Sequence, residues 1–213
     1  MHKYIVLFLA ILVTTSCSEK TTKSVDHSKH GSSSTSSNGD AHDKSSMDHS
    51  SMASSPGASS APLELQFIDT MIVHHEGAID MAELAESYAG HPELKQLAAD
   101  IVREQMREID TMEKFRDRWF GDKDPAINME FPGMSEGMHG MDLHKLGSLR
   151  GNEFDLEFIR QMIPHHEGAL VMAKQIKDND SYAELKRLAD DIIRAQEAEI
   201  ATMRGWLTAW ERK

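Results

Sequence analysis

The chain has 213 residues and a formal net charge of −12 at neutral pH. This acidic balance argues against nucleic acid or an anionic membrane surface as the binding partner. The single cysteine, Cys17, lies near the N-terminus, so the rest of the chain has neither disulfides nor thiolate metal ligands. Any soft-metal chemistry in this protein would therefore have to use methionine and histidine.

Residues 1–16 have the pattern of a signal peptide. The apolar segment from Tyr4 to Val13 is too short to span a bilayer as a helix. The segment ends in a sequence that resembles a bacterial lipobox before Cys17, although Thr14 replaces the usual leucine. We therefore predict a lipoprotein of the cell envelope, in the periplasm or at the outer membrane, that touches the membrane only through a lipid anchor at Cys17. The alternative is an ordinary exported protein with an incidental cysteine.

Residues 17–62 contain mostly serine, aspartate, histidine, lysine, glycine and threonine. Because such a composition buries little apolar surface, we predict a disordered tether between the lipidated cysteine and the folded part. Within it, Met47 and Met52 bracket His49, and we predict this cluster as an accessory metal site. The alternative is a solubilising spacer of biased composition.

The rest of the chain contains an internal repeat. From Phe67 to Trp119 and from Phe158 to Trp210, at a constant offset of 91, 25 of 53 aligned residues are identical. Each copy has the periodicity of two long helices. We predict an all-α fold: a four-helix bundle over residues 63–213, built from two repeated helical hairpins at about 63–120 and 152–213.

Apolar and polar side chains share the predicted core-facing seam of these helices. In the first repeat the seam residues are Phe67, Met71, His74, Ala78, Met81 and Ala85, followed by Ala98, Ile101, Gln105, Glu108, Met112, Phe115 and Trp119. The second repeat mirrors this seam. Buried imidazoles and carboxylates must pair with one another, with water or with an ion. The repeated His-His pair favours a metal site, and a satisfied polar network is the alternative.

Short signals predict the helix ends. Gly90 suits the end of the first helix and Pro92 the first turn of the second. Ser181 and Glu184 have the spacing of a capping box that would begin the last helix. Pro164 precedes the second histidine pair and marks either a kink or a separate turn.

Adjacent histidines diverge by about 100° around a helix, so the two members of each pair are not expected to share one ion. The heptad spacing places His74 and His165 inside the bundle, with His75 and His166 beside the groove. Thioether and imidazole ligands suit Cu(I), and imidazole with carboxylate suits Cu(II). The position of Met71, one turn before His74, therefore favours copper.

The connection from 121 to 151 is long for a helical bundle and is rich in methionine. It contains Met138, His139 and Met141, which we predict as further accessory metal ligands. The alternative is that these methionines cap the bundle as adaptable packing.

Two motifs resemble those of domain-of-unknown-function family 305. The sequence Met-Ile-x-His-His-Glu-x-Ala-x-x-Met-Ala occurs at 71–82 and 162–173, and Gln-x-x-Glu-Ile-x-x-Met follows at 105–112 and 196–203. Phe154-Asp155 precedes the second copy, whereas Leu63-Glu64 stands before the first, so the two helix starts are expected to differ. The resemblance covers essentially all of 63–213.

The resemblance implies a ferritin-like, exported copper-binding protein that contributes to copper tolerance. The metal ligands that it implies are Met71, His74, His75, Met81, Glu108, Met112, Met162, His165, His166, Met172, Glu199 and Met203. Envelope proteins that export or accept copper are the expected partners, besides copper ions themselves.

Three functions compete at this point. The leading hypothesis is a copper-binding protein, not an enzyme, that buffers, sequesters or delivers copper. A metal-dependent oxidase of the di-iron type would need Glu-x-x-His on two helices, and neither repeat contains that motif. The third hypothesis is a metal-independent envelope scaffold, whose polar seam fixes the register of the helices.

Overall fold

The computed structural model describes residues 53–211, and helices dominate this part of the chain. Its helices are α1 (Leu63–Tyr88), α2 (Pro92–Phe120), α3 (Met134–Met138), α4 (Leu143–Ser148), α5 (Gly151–Asp178) and α6 (Ala183–Trp210). Residues 53–211 contain no β-strand, and the predicted all-α bundle of two helical hairpins is confirmed. The predicted signal peptide, Cys17 and the Met47–Met52 cluster lie outside the described residues.

The bundle packs along the predicted seam. Helix α1 packs on α2, α5 on α6, and the two hairpins meet mainly where α1 lies against α5. The seam residues predicted on α1, from Phe67 to Ala85, are all fully buried. Their spacing of three and four residues places them on one helix face, so one stripe forms the core. None of the helices within 53–211 is long and apolar enough to cross a membrane.

The predicted helix ends are partly correct. Pro92 occupies the first turn of α2, where its missing N–H costs no hydrogen bond. Gly90, however, does not close α1: the helix ends at Tyr88, and Ala89 after it is extended. The Gly90 N–H instead donates to Asp155 Oδ1 at 2.9 Å. Pro164 lies inside the continuous helix α5, so it does not mark a separate turn.

The capping box predicted at the start of α6 is wrong. The helix begins at Ala183 after Tyr182, which makes no side-chain capping hydrogen bond. The Ser181 hydroxyl donates to Glu64 Oε1 at 3.1 Å, and Glu184 pairs with Arg118 at 3.1 Å. Ser181 and Glu184 therefore form contacts with the other hairpin, and neither caps α6.

A second contact between the hairpins mirrors the first. The fully buried Asp155 accepts hydrogen bonds from the backbone N–H groups of Gly90 and His91, both at 2.9 Å, and from the His91 ring. The same ring stacks on Trp210 with centroids 3.9 Å apart. Asp155 is the repeat equivalent of Glu64, so the Phe-Asp pair that distinguishes the second copy joins the two hairpins. The helix starts differ as expected, since α5 begins three aligned positions before α1.

The crossover lies against α1. Asp69, which is buried, accepts the Ala126 N–H at 2.8 Å and pairs with Arg116 at 3.0 Å. The Thr70 hydroxyl accepts the Asn128 N–H at 2.9 Å. These bonds fix the start of the crossover before it reaches α3.

The folded part begins before residue 63, within the predicted tether of residues 17–62. The Ser55 N–H donates to the carbonyl of Ile127 at 2.8 Å, and Ser54 Oγ accepts the N–H of Met129 at 2.9 Å. Ala58 is 3 % exposed and packs in the core. Small residues that hydrogen bond to the crossover backbone can join a fold without adding much apolar surface, which is why composition alone misplaces this boundary.

Candidate metal centre

Two imidazole rings meet at the centre of the bundle. His74 on α1 and His165 on α5 have ring centroids 3.8 Å apart and planes tilted by 39°. The two rings are 0 % and 1 % exposed. Neither ring nitrogen of either residue forms a hydrogen bond within the described part of the chain. Burying these four ring nitrogens without a partner costs free energy, because they lose their hydrogen bonds to water. An ion bound by the nitrogens would offset this cost.

Burial also sets the protonation state of this pair. Desolvation lowers the pKa of His74 well below its ordinary value, and the nearby His75 and His166 lower it further. Desolvation likewise lowers the pKa of His165, with a further contribution from His74. Both rings are therefore neutral at neutral pH, which is the form that binds a metal.

Two methionine side chains of the crossover lie near His165 of this pair. A methyl group placed on Gly77 would lie 3.3 Å from Met141 Sδ, 3.4 Å from His165 Nε2 and 3.4 Å from Met138 Cε. The three side chains therefore converge on one small space above α1. Thioether sulfur and neutral imidazole nitrogen are donors that suit Cu(I).

The short helix α3 covers the other side of the pair. A methyl group on Gly137 would lie 2.5 Å from His74 Nε2, so this glycine lets the α3 backbone approach the ring. A methyl group on Gly168 of α5 would lie 2.5 Å from both the Gly133 carbonyl oxygen and the Gly137 Cα. The glycines of α3 and α5 thus bring the crossover into direct contact with the histidine pair.

The second histidine of each motif has a different partner. His75 Nε2 donates to Glu108 Oε2 at 2.8 Å, and His166 Nε2 donates to Glu199 Oε2 at 2.7 Å. Both histidines are 0 % exposed, and each lies behind a glutamate that lines the groove between α2 and α6. The apolar stripe of each helix is wide enough to bury both histidines of a motif.

The two glutamates, and not the histidines, reach the groove. Glu108 and Glu199 line an open groove of about 840 Å³ between α2 and α6, with side chains 15 % and 12 % exposed. One turn before them, Gln105 and Gln196 are buried, and their amide atoms form no hydrogen bond within the described residues. Each hairpin thus carries one His–Glu pair and one buried amide.

The methionines predicted on the seam lie in two hydrophobic clusters. Met71, Met112 and Met172 share one cluster, and Met81, Met162 and Met203 share the other. All six are fully buried. Sequence reasoning placed them on the correct face of each helix.

The three accessory ligands predicted in the crossover differ in how deeply they are buried. Met138 and Met141 are half-buried and lie near His165, whereas His139 is exposed between them. No sequence pattern predicts that Gly77 lies beside these side chains. The glycines at 133, 137 and 168 are the sequence feature that is typical of a close approach between two backbones, here those of the crossover and α5. Residues 53–211 contain no group of three or more histidine, cysteine or carboxylate side chains arranged to hold an ion. An ion at the histidine pair would therefore need other donors, such as thioethers.

Solved structures resemble this chain. CopM in its Cu(I)-bound form is 45 % identical with a TM-score of 0.59, over 69 % of this chain and 96 % of CopM. CopM in its Cu(II)-bound form is 46 % identical with a TM-score of 0.60, over 69 % of this chain and 97 % of CopM. CopM is also known in a silver-bound form.

A further relative is a Streptomyces coelicolor DUF305 protein described as secreted. It is 29 % identical with a TM-score of 0.61, over 70 % of this chain and 94 % of that protein. The comparison with curated proteins finds no match. The model of the domain of unknown function DUF305 matches residues 15–116 and 64–207. The chain therefore belongs to the DUF305 family.

Proposed function

We propose that this protein binds copper in the cell envelope and buffers, sequesters or delivers it. The observation that carries the proposal is the buried pair of His74 and His165, whose nitrogens form no hydrogen bond with any residue of 53–211. The thioether of Met141 and the end of Met138 lie near His165. These four side chains form a set of two imidazoles and two thioethers, which favours Cu(I).

The arrangement supports one Cu(I) ion per bundle at this position. The two repeats each contribute one histidine to a single pair, and the crossover that brings Met138 and Met141 occurs once. The similarity to CopM, which has been solved with Cu(I), Cu(II) and silver, supports a copper-related role.

The other predicted ligands stay predictions. His75 with Glu108 and His166 with Glu199 combine imidazole and carboxylate, which suits Cu(II), and both carboxylates reach the groove between α2 and α6. The seam methionines are buried among apolar side chains, where they also serve as packing.

Location and partners follow from the N-terminal sequence. The signal-peptide pattern and the similarity to a relative described as secreted support an exported protein. We propose lipid anchoring at Cys17 and exchange of copper with envelope proteins. The protein is proposed as a binding protein and not as an oxidase, because neither repeat has the Glu-x-x-His motif of di-iron bundles.

A competition titration tests the copper site. Cu(I) bound to a chromogenic chelator is titrated with the mature chain, with a His74→Gln/His165→Gln variant and with a Met106→Leu control. Met106 is 57 % exposed on α2 and lies outside the proposed site. We expect the double-histidine variant to lose one tightly bound Cu(I) and the control to keep it. Equal stoichiometry and affinity in all three proteins would refute the proposal.

A further inference from the structure

Residue 77 lies beside donors of the proposed copper site. A Cβ at this position would lie 3.3 Å from Met141 Sδ, 3.4 Å from His165 Nε2 and 3.4 Å from Met138 Cε. Because residue 77 is glycine, no side chain stands beside these atoms. We infer that Gly77 is a specificity-determining residue, because any side chain at this position would crowd an ion bound by Met141 and His165.

The backbone does not require glycine at this position. Gly77 lies in the middle of α1, and it is not among the glycines with positive φ in residues 53–211. Glycine inside a helix lowers helix stability relative to alanine. The three atoms nearest to an added methyl group all belong to side chains. Glycine at 77 therefore costs helix stability, and the open space beside the donors is what it provides.

The equivalent glycine in the second repeat has a different role. At Gly168, the neighbours of an added methyl group are backbone atoms of Gly133 and Gly137 at 2.5 to 2.8 Å. The backbone of α3 thus occupies at Gly168 the volume that remains open at Gly77. The two copies of the motif have diverged, so that one glycine admits the crossover and the other leaves room beside the donors.

The donor atoms and their closeness define the ligand class. A hydrated divalent ion keeps its water ligands and needs a larger cavity, whereas a soft monovalent ion binds sulfur and nitrogen without water. The Met141 sulfur and the His165 nitrogen therefore favour a dehydrated Cu(I) ion. This inference rests on the proposed copper site.

Gly77→Ala and its matched control Gly205→Ala test the inference. An added methyl group at Gly205, inside α6 near its C-terminal end, would meet no atom within 4 Å. Both variants are measured as the full mature chain, by thermal melting without metal and by Cu(I) competition titration. We expect both metal-free variants to melt at or a few degrees above the wild type. Only Gly77→Ala should lose Cu(I) affinity, by 100-fold or more, together with the rise in melting temperature on adding Cu(I).

The outcomes separate this inference from the proposed function. If the wild type binds Cu(I) and Gly77→Ala binds it equally well, the role of Gly77 is refuted and the copper site stands. If Gly77→Ala unfolds or melts well below the wild type without metal, glycine is needed for packing, and the inference is again refuted. If the wild type shows no Cu(I) affinity, the proposed function fails and the inference fails with it.

Discussion

His74 and His165, which are 91 residues apart in the sequence, lie with ring centroids 3.8 Å apart in the centre of the bundle. Each comes from the same position of its repeat, so a duplicated hairpin builds one central pair. The pair is buried and its nitrogens form no hydrogen bond among the described residues. Burying these nitrogens without a partner costs free energy, and a bound metal ion would offset that cost.

The metal-free protein should lose stability as the pH falls. Burial lowers the pKa of His74 and His165 below the ordinary value of about 6.5 that applies to the unfolded chain. Below that pH the unfolded state takes up protons that the folded state does not, so the free energy of unfolding decreases. Two such groups contribute at most about 3 kcal/mol per pH unit. Urea denaturation between pH 8 and 5 measures the slope, which should flatten in His74→Gln/His165→Gln. An equal slope in that variant would contradict this assignment.

Removing the carboxylate at Glu108 should destabilise the bundle. Glu108→Ala leaves the buried ring of His75 without its 2.8 Å hydrogen bond, which we expect to cost about 1–3 kcal/mol in the free energy of unfolding. Glu104→Ala, at a half-exposed position of the same helix, is the control and should change stability by less than about 0.5 kcal/mol. Urea denaturation of both variants gives the difference, and equal losses would show that the His75–Glu108 bond contributes nothing specific.

Asp155 should contribute more to stability than its repeat equivalent Glu64. Asp155→Ala removes an acceptor of three hydrogen bonds and leaves the N–H groups of Gly90 and His91 unpaired, at an expected cost of about 2–4 kcal/mol. Glu64→Ala removes only the bond from Ser181 and should cost about 1 kcal/mol. Chemical denaturation of the two variants ranks them, and a larger loss for Glu64→Ala would overturn this explanation of the Phe-Asp pair.

Gly168→Ala should detach the crossover from α5. The added methyl group would clash with backbone atoms of Gly133 and Gly137 at 2.5 Å, which side-chain movement cannot relieve. We expect faster amide hydrogen exchange in residues 133–138 and weaker Cu(I) binding, because Met138 and Met141 would no longer be held beside His165. Unchanged exchange in this segment would contradict the proposed docking of α3.

The helices and their buried faces could be predicted from the sequence because the periodicity is strong and occurs twice. The seam positions from Phe67 to Ala85 repeat every three or four residues, and all of them are buried. The complete burial of His75 does not follow from the heptad spacing, because a narrow two-position seam underestimates the width of the stripe that a bundle covers. The start of α6 does not follow from local spacing either, because Ser181 bonds to Glu64 in the other hairpin.

The histidines of the candidate site could be predicted, but their neighbours could not. The duplicated motif singles out His74 and His165, and their spacing on each helix points them inward. The position of Met138 and Met141 depends on where an irregular crossover docks, and no periodicity describes such a segment. The role of Gly77 becomes visible only when the side chains around it are placed.

X-ray absorption of the Cu(I)-loaded protein tests the central claim most directly. Two proteins are compared, and both carry Met47→Leu and Met52→Leu, which remove the N-terminal thioethers. The second protein also carries Met138→Leu and Met141→Leu. Leucine conserves the volume of methionine, so the fold should persist within about 1.5 kcal/mol. We expect one Cu(I) with nitrogen and sulfur ligands, and loss of the sulfur scattering when the crossover methionines are replaced. Sulfur scattering that is unchanged in that variant would contradict it.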